Sequence, residues 1–284
     1  MTTTPTLDTP ASPGHAADET AKVAPITPTA HHDEVRVTGR RAYRSERMRL
    51  TGLRSTWAVA ATTLVAMIGT AAAVSSTIPA DALGDAQQAF PLLLSGSTLA
   101  VLIVSAFGAV VGARDHVTGA IRTTFTLVPR RRTVVAAKVA ALLSVLVPTL
   151  LVAHVGAVVA GSAILSARHM PMPAPDAEAV LALAGSTLSM TSVGLLGLAL
   201  GLVLRSIGGS VAAALGGYVA LPGLVGLLWS TGATWLPSQL GSVLSAIGPA
   251  VEGMPSRLAA GLALVGWVLG ALAAAAAVLD HRDA

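Results

Sequence analysis

A basic, polar segment between two long apolar runs holds most of the side chains that suit partner binding. It spans Gly112–Arg132 and contains Arg114, Arg122 and the run Arg130–Arg132. Guanidinium groups bind carboxylates and phosphates through paired, charge-assisted hydrogen bonds. This segment is therefore expected to be a contact surface of a membrane protein, with its basic groups near lipid head groups.

The same segment has the pattern of a short amphipathic helix. Thr118 can cap a helix that begins at Gly119, and Pro129 ends it. Ile121 and Phe125 lie four residues apart, on one face of that helix. We expect it to lie along the membrane surface. The alternative is a solvated connector whose arginines only fix the orientation of the neighbouring spans.

Motifs that carry catalysis are missing from the sequence. A nucleotide-binding P-loop needs Gly-x-x-x-x-Gly-Lys-Ser/Thr, and the only two lysines, Lys22 and Lys138, each follow an alanine. Neither His-Glu-x-x-His nor Gly-x-Ser-x-Gly occurs. The chain has no Cys, which excludes disulfides and thiolate metal sites. We expect no enzyme activity and no metal or other cofactor bound by this chain.

The composition is that of an integral membrane protein. Hydrophobic residues make up 53% of the chain and charged residues 11%, against about 25% charged in soluble domains. Most of the charge-free runs reach the ~20 residues needed to cross a bilayer, and such runs must be helical because lipid cannot satisfy a bare backbone. The predicted fold is all-α and polytopic, with six spans: Trp57–Thr77, Phe90–Ala113, Val139–Leu165, Ala179–Leu204, Ile207–Trp229 and Leu258–Leu279.

The distribution of basic residues predicts the orientation of these spans. With the amino terminus inside, 16 of the 18 Lys and Arg residues fall on the cytoplasmic side, and only Arg168 and Arg257 fall outside. This bias follows the positive-inside rule and predicts that both termini are cytoplasmic, in the cell membrane. Because the basic groups flank apolar helices, they do not indicate a nucleic-acid partner.

Composition also divides the chain along its length. Residues 1–42 are rich in Thr and Pro and are expected to be a disordered cytoplasmic tail. Tyr43, Leu50, Leu53 and Trp57 recur at helical intervals, which predicts an interfacial helix at 43–56. The rest divides into a six-helix domain at 57–280 with a cytoplasmic loop at 114–138, and a short tail at 281–284. The segment at 230–255 either lies at the outer interface and gates an exit or is a plain outer loop, and we expect the loop.

Two features inside the predicted spans are open to more than one interpretation. His154 is the only ionisable residue deep within a span, so it belongs either to a transport pathway or to a bonded helix interface. The pairs Gly108–Gly112, Gly197–Gly201 and Gly266–Gly270 match a helix-packing pattern. With 28 glycines in the chain, about three such pairs arise by chance, so the pattern alone indicates nothing.

Two motifs resemble the membrane subunits of ABC-2 type transporters. That family often has Glu-Tyr-x-x-Gly-x-Ile-Arg-x-Thr-Leu-x-x-x-Pro-x-Arg after its second span and Ala-Lys at the third. Here Asp115 and His116 replace the Glu and the Tyr, and Phe125 replaces the Leu. The positions in register are Gly119, Ile121, Arg122, Thr124, Pro129, Arg131, Ala137 and Lys138. A second match precedes the first span, where the segment at 45–57 is similar to the family's Glu-x-x-Lys-Leu-x-x-x-Arg-Ser-Thr, with Arg49 in place of Lys.

The resemblance implies a permease subunit that exports a lipophilic compound. Two such subunits, identical or related, would form the pore and bind a cytoplasmic ABC ATPase. The residues that it assigns to the ATPase interface are Glu46, Arg49, Arg54, Asp115, Thr118, Gly119, Ile121, Arg122, Phe125, Pro129, Arg131 and Lys138.

Two other classes of function fit the sequence. An ion-coupled secondary transporter should show inverted repeats, broken helices at matching positions and several buried ionisable groups, of which only His154 is present. A non-transporting assembly or regulatory subunit could use the basic loop to bind a different partner. A neighbouring reading frame with a P-loop would favour the permease over both.

Overall fold

The structure is a computed structural model of the 284-residue chain and describes residues 38–79, 83, 86–117, 131–171, 176–249 and 251–282. Over these ranges it contains helices and no strand. The helices are α1 (Gly39–Thr51), α2 (Arg54–Thr77), α3 (Ala86–Leu93), α4 (Ser97–Val117), α5 (Arg131–Ala167), α6 (Ala177–Leu204), α7 (Ile207–Val219), α8 (Leu221–Leu228), α9 (Ser230–Ala233), α10 (Pro237–Ser245) and α11 (Arg257–Arg282).

Five of these helices are long and apolar enough to cross a membrane: α2, α4, α5, α6 and α11. The fifth predicted span, Ile207–Trp229, is instead two helices, α7 and α8, bent by 49° relative to each other. Pro222 lies in the first turn of α8 and cannot donate a backbone hydrogen bond to the preceding turn, which explains the break. By length and composition, the described part of the chain therefore has five candidate spans, or six if the bent pair is one span.

The second predicted span also begins later than expected. Residues from Phe90 form part of the short helix α3, and a turn at 94–96 separates it from α4. At this turn the backbone passes against α2, because a Cβ added to Gly96 would lie 2.5 Å from the Cα of Met67. No side chain fits at that distance, so a glycine is required where the chain crosses α2.

The amphipathic helix before the first span differs from its prediction at both ends. It begins at Gly39, so residues 39–42 are helical and do not belong to the expected tail. It ends at Thr51, where Gly52 closes the last turn and Leu53 is extended, so 43–56 is not one helix. Residues 1–37 of the expected tail lie outside the described residues.

Within α1 the predicted face is the one that packs inward, because Leu50 is buried and Tyr43 packs against the core. Ala42, Glu46 and Leu50 pack inward at intervals of four residues, and α1 lies against α5. Trp57, predicted on the same face, is 63% exposed and belongs to α2. Its ring nitrogen donates to the Thr51 carbonyl oxygen at 2.9 Å, which bonds the end of α1 to the start of α2.

Two of the three glycine pairs allow α4 and α6 to pack backbone against backbone. A Cβ on Gly108 would lie 1.9 Å from the Gly194 carbonyl oxygen, and one on Gly201 would lie 2.3 Å from that of Ala109. Nothing lies within 4 Å of a Cβ built on either residue of the pair Gly266–Gly270. The glycine pattern thus forms the closest kind of helix contact in α4 and α6 and no contact in α11.

The expected outer loop at 230–255 contains a packed helix. Leu240 and Leu244 of α10 are buried, and this helix lies against α6 and α11. Gly185 of α6 provides the space, because a Cβ there would lie 2.1 Å from the Leu244 carbonyl oxygen. The prediction of a plain loop was therefore wrong for residues 237–245.

The two arginines at the opposite end of the bundle bond to the ends of helices. Arg168 donates to the carbonyl oxygens of Ser75 and Ile78, at 2.7 and 2.8 Å, where α2 ends. Arg257 donates to the Ala246 carbonyl oxygen at 2.6 Å, where α10 ends. The final carbonyls of a helix have no intrahelical partner and carry partial negative charge, so a guanidinium stabilises them.

Candidate functional site: a buried charge cluster

Four of the residues singled out in the sequence form one network, here called the charge cluster: Glu46, Arg49, Asp115 and Lys138. Arg49 donates from Nη1 to Glu46 Oε1 at 3.1 Å and from Nη2 to Asp115 Oδ1 at 2.8 Å. Lys138 Nζ donates to Glu46 Oε2 at 3.1 Å and also to Asp115 Oδ2. Each carboxylate therefore accepts from both cations, one oxygen to each.

The charge cluster is buried and electrically balanced. The side chains of Lys138, Asp115 and Glu46 are 4%, 6% and 10% exposed, and that of Arg49 is 43% exposed. Two carboxylates and two cations give no net charge. Burial of charge is tolerated only with such pairing, and removal of one partner from a buried pair costs about 3–5 kcal/mol.

Three helices supply these side chains. Glu46 and Arg49 are one turn apart on α1, Asp115 lies at the end of α4, and Lys138 lies two turns into α5. The segment between α4 and α5 along the chain is residues 118–130, which contain most of the predicted amphipathic loop. The charge cluster thus fixes α1 to both helices that flank this loop.

The family resemblance assigns Glu46, Arg49, Asp115 and Lys138 to an interface with an ATPase. In the structure their charged groups bond to one another. Of the other assigned residues, Arg54 is exposed at the start of α2. Others lie outside the described residues: Thr118, Gly119, Ile121, Arg122, Phe125 and Pro129. Arg131 is the first residue of α5, and its side chain is outside the description.

Sequence reasoning found these four residues but missed that they pair. A signal was available, since Glu46 is the only acid in the basic segment 36–54, and Asp115 is the only acid between residues 86 and 175. An isolated acid beside many arginines favours an ion pair. The sequence did not show that both acids share Lys138, because that residue is 92 positions from Glu46 and 23 from Asp115.

His154 lies in α5, within the apolar part of the bundle, and its ring is fully bonded. Nδ1 donates to the Leu150 carbonyl oxygen at 2.8 Å, which can only accept. Nε2 forms a hydrogen bond with the Ser186 hydroxyl of α6 at 2.9 Å. The Leu150 carbonyl thus requires a proton on Nδ1. This arrangement joins α5 to α6. It corresponds to the interpretation of His154 as part of a bonded helix interface.

These observations describe an all-helical protein whose five to six candidate spans are compatible with a multi-pass membrane protein, and whose bundle carries a balanced ionic network at one end. No group of three or more His, Cys, Asp or Glu side chains able to hold a metal ion occurs in the part of the chain that the structure describes. No family model, no curated protein and no solved structure matches this chain.

Proposed function

We propose that this protein is the permease subunit of an ABC-2 type exporter in the cell membrane. Both termini are cytoplasmic, and a separate ATPase subunit binds the loop between α4 and α5 and hydrolyses ATP. Two permease subunits, identical or related, form the pathway for a lipophilic compound. The proposal is supported by the order of the two family-like motifs along the chain and by the apolar helices that follow each of them.

One observation carries the mechanism: the charge cluster joins α1 to α4 and α5 at the ends next to the loop. Displacement of the loop by the ATPase would pull on the end of α4 and the start of α5. Because Lys138 and Arg49 each bond both carboxylates, α1 must move with those ends or lose buried ion pairs. In this proposal the loop binds the ATPase, and the charge cluster transmits its motion to the spans.

The test separates these two roles with two variants of the full chain, tagged at its carboxyl terminus and purified from its native membrane. Arg122→Glu with Arg131→Glu reverses charge in the loop, where the ATPase is expected to bind. Glu46→Gln with Arg49→Gln removes the two cluster charges of α1 and leaves Asp115 and Lys138 paired, so no buried charge loses its counter-charge. The control is Arg40→Glu, the same reversal at an exposed position of α1 outside the loop.

We expect wild type and Arg40→Glu to copurify with a stoichiometric ATPase that the loop variant loses. The α1 variant should keep the ATPase and lose ATP-dependent motion of the spans. Because the chain has no Cys, a cysteine introduced at Thr77, exposed at the far end of α2, reports that motion through its rate of maleimide labelling. Absence of any ATPase, or its retention by the loop variant, would contradict the proposal.

A further inference from the structure

A cavity of about 370 Å³ lies between α6, α7, α10 and α11, away from the charge cluster. Its volume falls within the range of about 300–1,000 Å³ that is typical of small-molecule sites. A cavity of about 150 Å³ holds benzene, so on the same scale this one has room for about 15 non-hydrogen atoms. The space therefore suits a small organic molecule.

The wall of this cavity is mostly apolar, and none of the described residues that line it carries a charge. Aliphatic side chains of α6, α7 and α11 form most of it. Hydroxyl groups come from Ser105, Tyr218 and Ser238, and the indole of Trp267 lies in the same wall. An ion in this cavity would lose its hydration without gaining a counter-charge. The occupant that fits is therefore neutral.

Ser238 gives the wall a polar group that lacks a partner. It lies in the first turn of α10, and its hydroxyl is buried without a hydrogen bond to any described residue. The Trp267 ring nitrogen donates to the Trp235 carbonyl oxygen at 2.9 Å, which fixes the start of α10 against α11. Water could bond this hydroxyl but would not fill the apolar remainder, because apolar cavities stay dry. A ligand with one polar group on an apolar body satisfies both.

We propose that this cavity binds one neutral lipophilic molecule that carries a single hydroxyl or carbonyl group. The polar group bonds Ser238, and the apolar body packs against α6, α7 and α11. Leu221 and Trp267 of the wall are 41% and 45% exposed. In a membrane this exposed edge opens toward lipid, so the ligand enters from the hydrocarbon phase.

Under the proposed function, the ligand of this cavity is the exported compound, and it binds within a single permease chain. That link rests on the proposed function, whereas the binding itself needs neither the ATPase nor a second permease. The test uses the purified chain alone. A failure of binding therefore leaves copurification of the ATPase unaffected, and an absent ATPase leaves the binding unaffected.

Quenching of Trp267 fluorescence by brominated ligands in detergent measures this binding. The reporter chain carries Trp57→Phe, Trp229→Phe and Trp235→Phe, and it keeps the bond from Trp267 because a backbone carbonyl accepts it. The probes are ω-bromoundecanol, bromoundecane and ω-bromoundecanoate, the last at a pH well above its pKa. They share one chain and one quencher. We expect saturable quenching, with the alcohol bound about fivefold more tightly than the alkane and roughly tenfold or more above the carboxylate.

Two pairs of matched variants assign the signal to the cavity. Gly217→Phe adds a side chain to the cavity from α7 and should abolish saturable quenching, whereas Gly216→Phe, next to it and outside the cavity, should not. Nothing lies within 4 Å of a Cβ built on either glycine, so we expect both variants to fold. Ser238→Ala should bind the alcohol and the alkane equally. Ser242→Ala, which removes an exposed hydroxyl of α10 outside the cavity, should keep the preference.

A second reporter keeps Trp57 as its only tryptophan and measures probe dissolved in the micelle. Trp57 is 63% exposed and lies outside the cavity, so its quenching should rise without saturation. If Gly217→Phe does not fold, Ala271→Phe fills the cavity from α11. Quenching of Trp267 without saturation, equal binding of the alcohol and the carboxylate, an unchanged signal in a folded cavity-filling variant, or an alcohol preference that survives in Ser238→Ala would overturn the proposal.

Discussion

Replacement of Lys138 by Met tests whether the charge cluster acts as one unit. The change removes a cation that bonds two buried carboxylates and leaves Glu46 and Asp115 to share Arg49. The remaining network carries a net charge of −1. An uncompensated charge of this kind costs about 3–5 kcal/mol. Because Arg49 is 43% exposed and water reaches it, we expect the lower end, about 3 kcal/mol.

Charge balance predicts that a second change repairs part of this loss. Lys138→Met with Asp115→Asn leaves Glu46 and Arg49, a neutral pair within one turn of α1. The double variant should therefore be more stable than Lys138→Met alone by about 2 kcal/mol, within the range of coupling between contacting residues. For a chain of this size the difference corresponds to a Tm gap of roughly 4–8 °C.

Thermal unfolding in one detergent, followed by circular dichroism for wild type, both single variants and the double variant, measures this coupling. Arg44→Met, an exposed cation on the opposite side of α1 from Glu46, is the control for loss of charge and should melt close to wild type. If the two single losses add in the double variant, or if Lys138→Met melts as wild type does, the four residues do not form one balanced network.

Three further predictions concern other parts of the bundle. Gly112→Ala should lower Tm by several degrees, because its Cβ would lie 2.2 Å from a carbonyl oxygen of α6 and overpacking costs about 1–3 kcal/mol. The control Gly266→Ala should leave Tm unchanged, because nothing lies within 4 Å of its Cβ. Equal shifts of Tm in the two variants would contradict the packing of α4 on α6. Arg168→Gln should also lower Tm, because the end of α2 loses a charged donor; an unchanged Tm would show that water replaces it. An impermeant maleimide should label Met48→Cys and Thr77→Cys from opposite sides of the membrane, because both positions are exposed and lie at opposite ends of the α1–α2 segment. Labelling of both from one side would refute the predicted orientation of the first span.

The helical class and most spans could be predicted because they follow from local composition. The fourth predicted span, Ala179–Leu204, corresponds to α6, which begins two residues earlier, at Ala177. Asp176 caps this helix by accepting from the Ala179 backbone N–H at 2.7 Å. The bend between α7 and α8 and the turn before α4 were missed, because an uncharged run does not show where the backbone turns. The predicted fifth span ran through Pro222 to Trp229.

Contacts between distant residues could not be predicted in the same way. The four cluster residues were selected through a family pattern that gives each a role toward a partner, and local spacing links only Glu46 to Arg49. The two ion pairs of Lys138 and the bond from Arg49 to Asp115 exist only once α1, α4 and α5 pack. Likewise, three glycine pairs look equivalent in the sequence, and only the packing of α4 on α6 separates two of them from the third.

The choice of ions at this junction is itself informative about mechanism. Well-packed apolar side chains of similar volume hold helices together as firmly as a buried ionic network, so stability alone does not account for four charges. The network differs in its response to displacement: a small shift of α1 that breaks one bond to Lys138 leaves a buried carboxylate short of a partner, which is costly. Under the proposed function, that property lets α1 and the two helices flanking the loop move together between discrete positions. The double variant Glu46→Gln, Arg49→Gln leaves Asp115 and Lys138 paired. We therefore expect it to fold and to lose the coupled motion of α1 with the two helices that flank the loop.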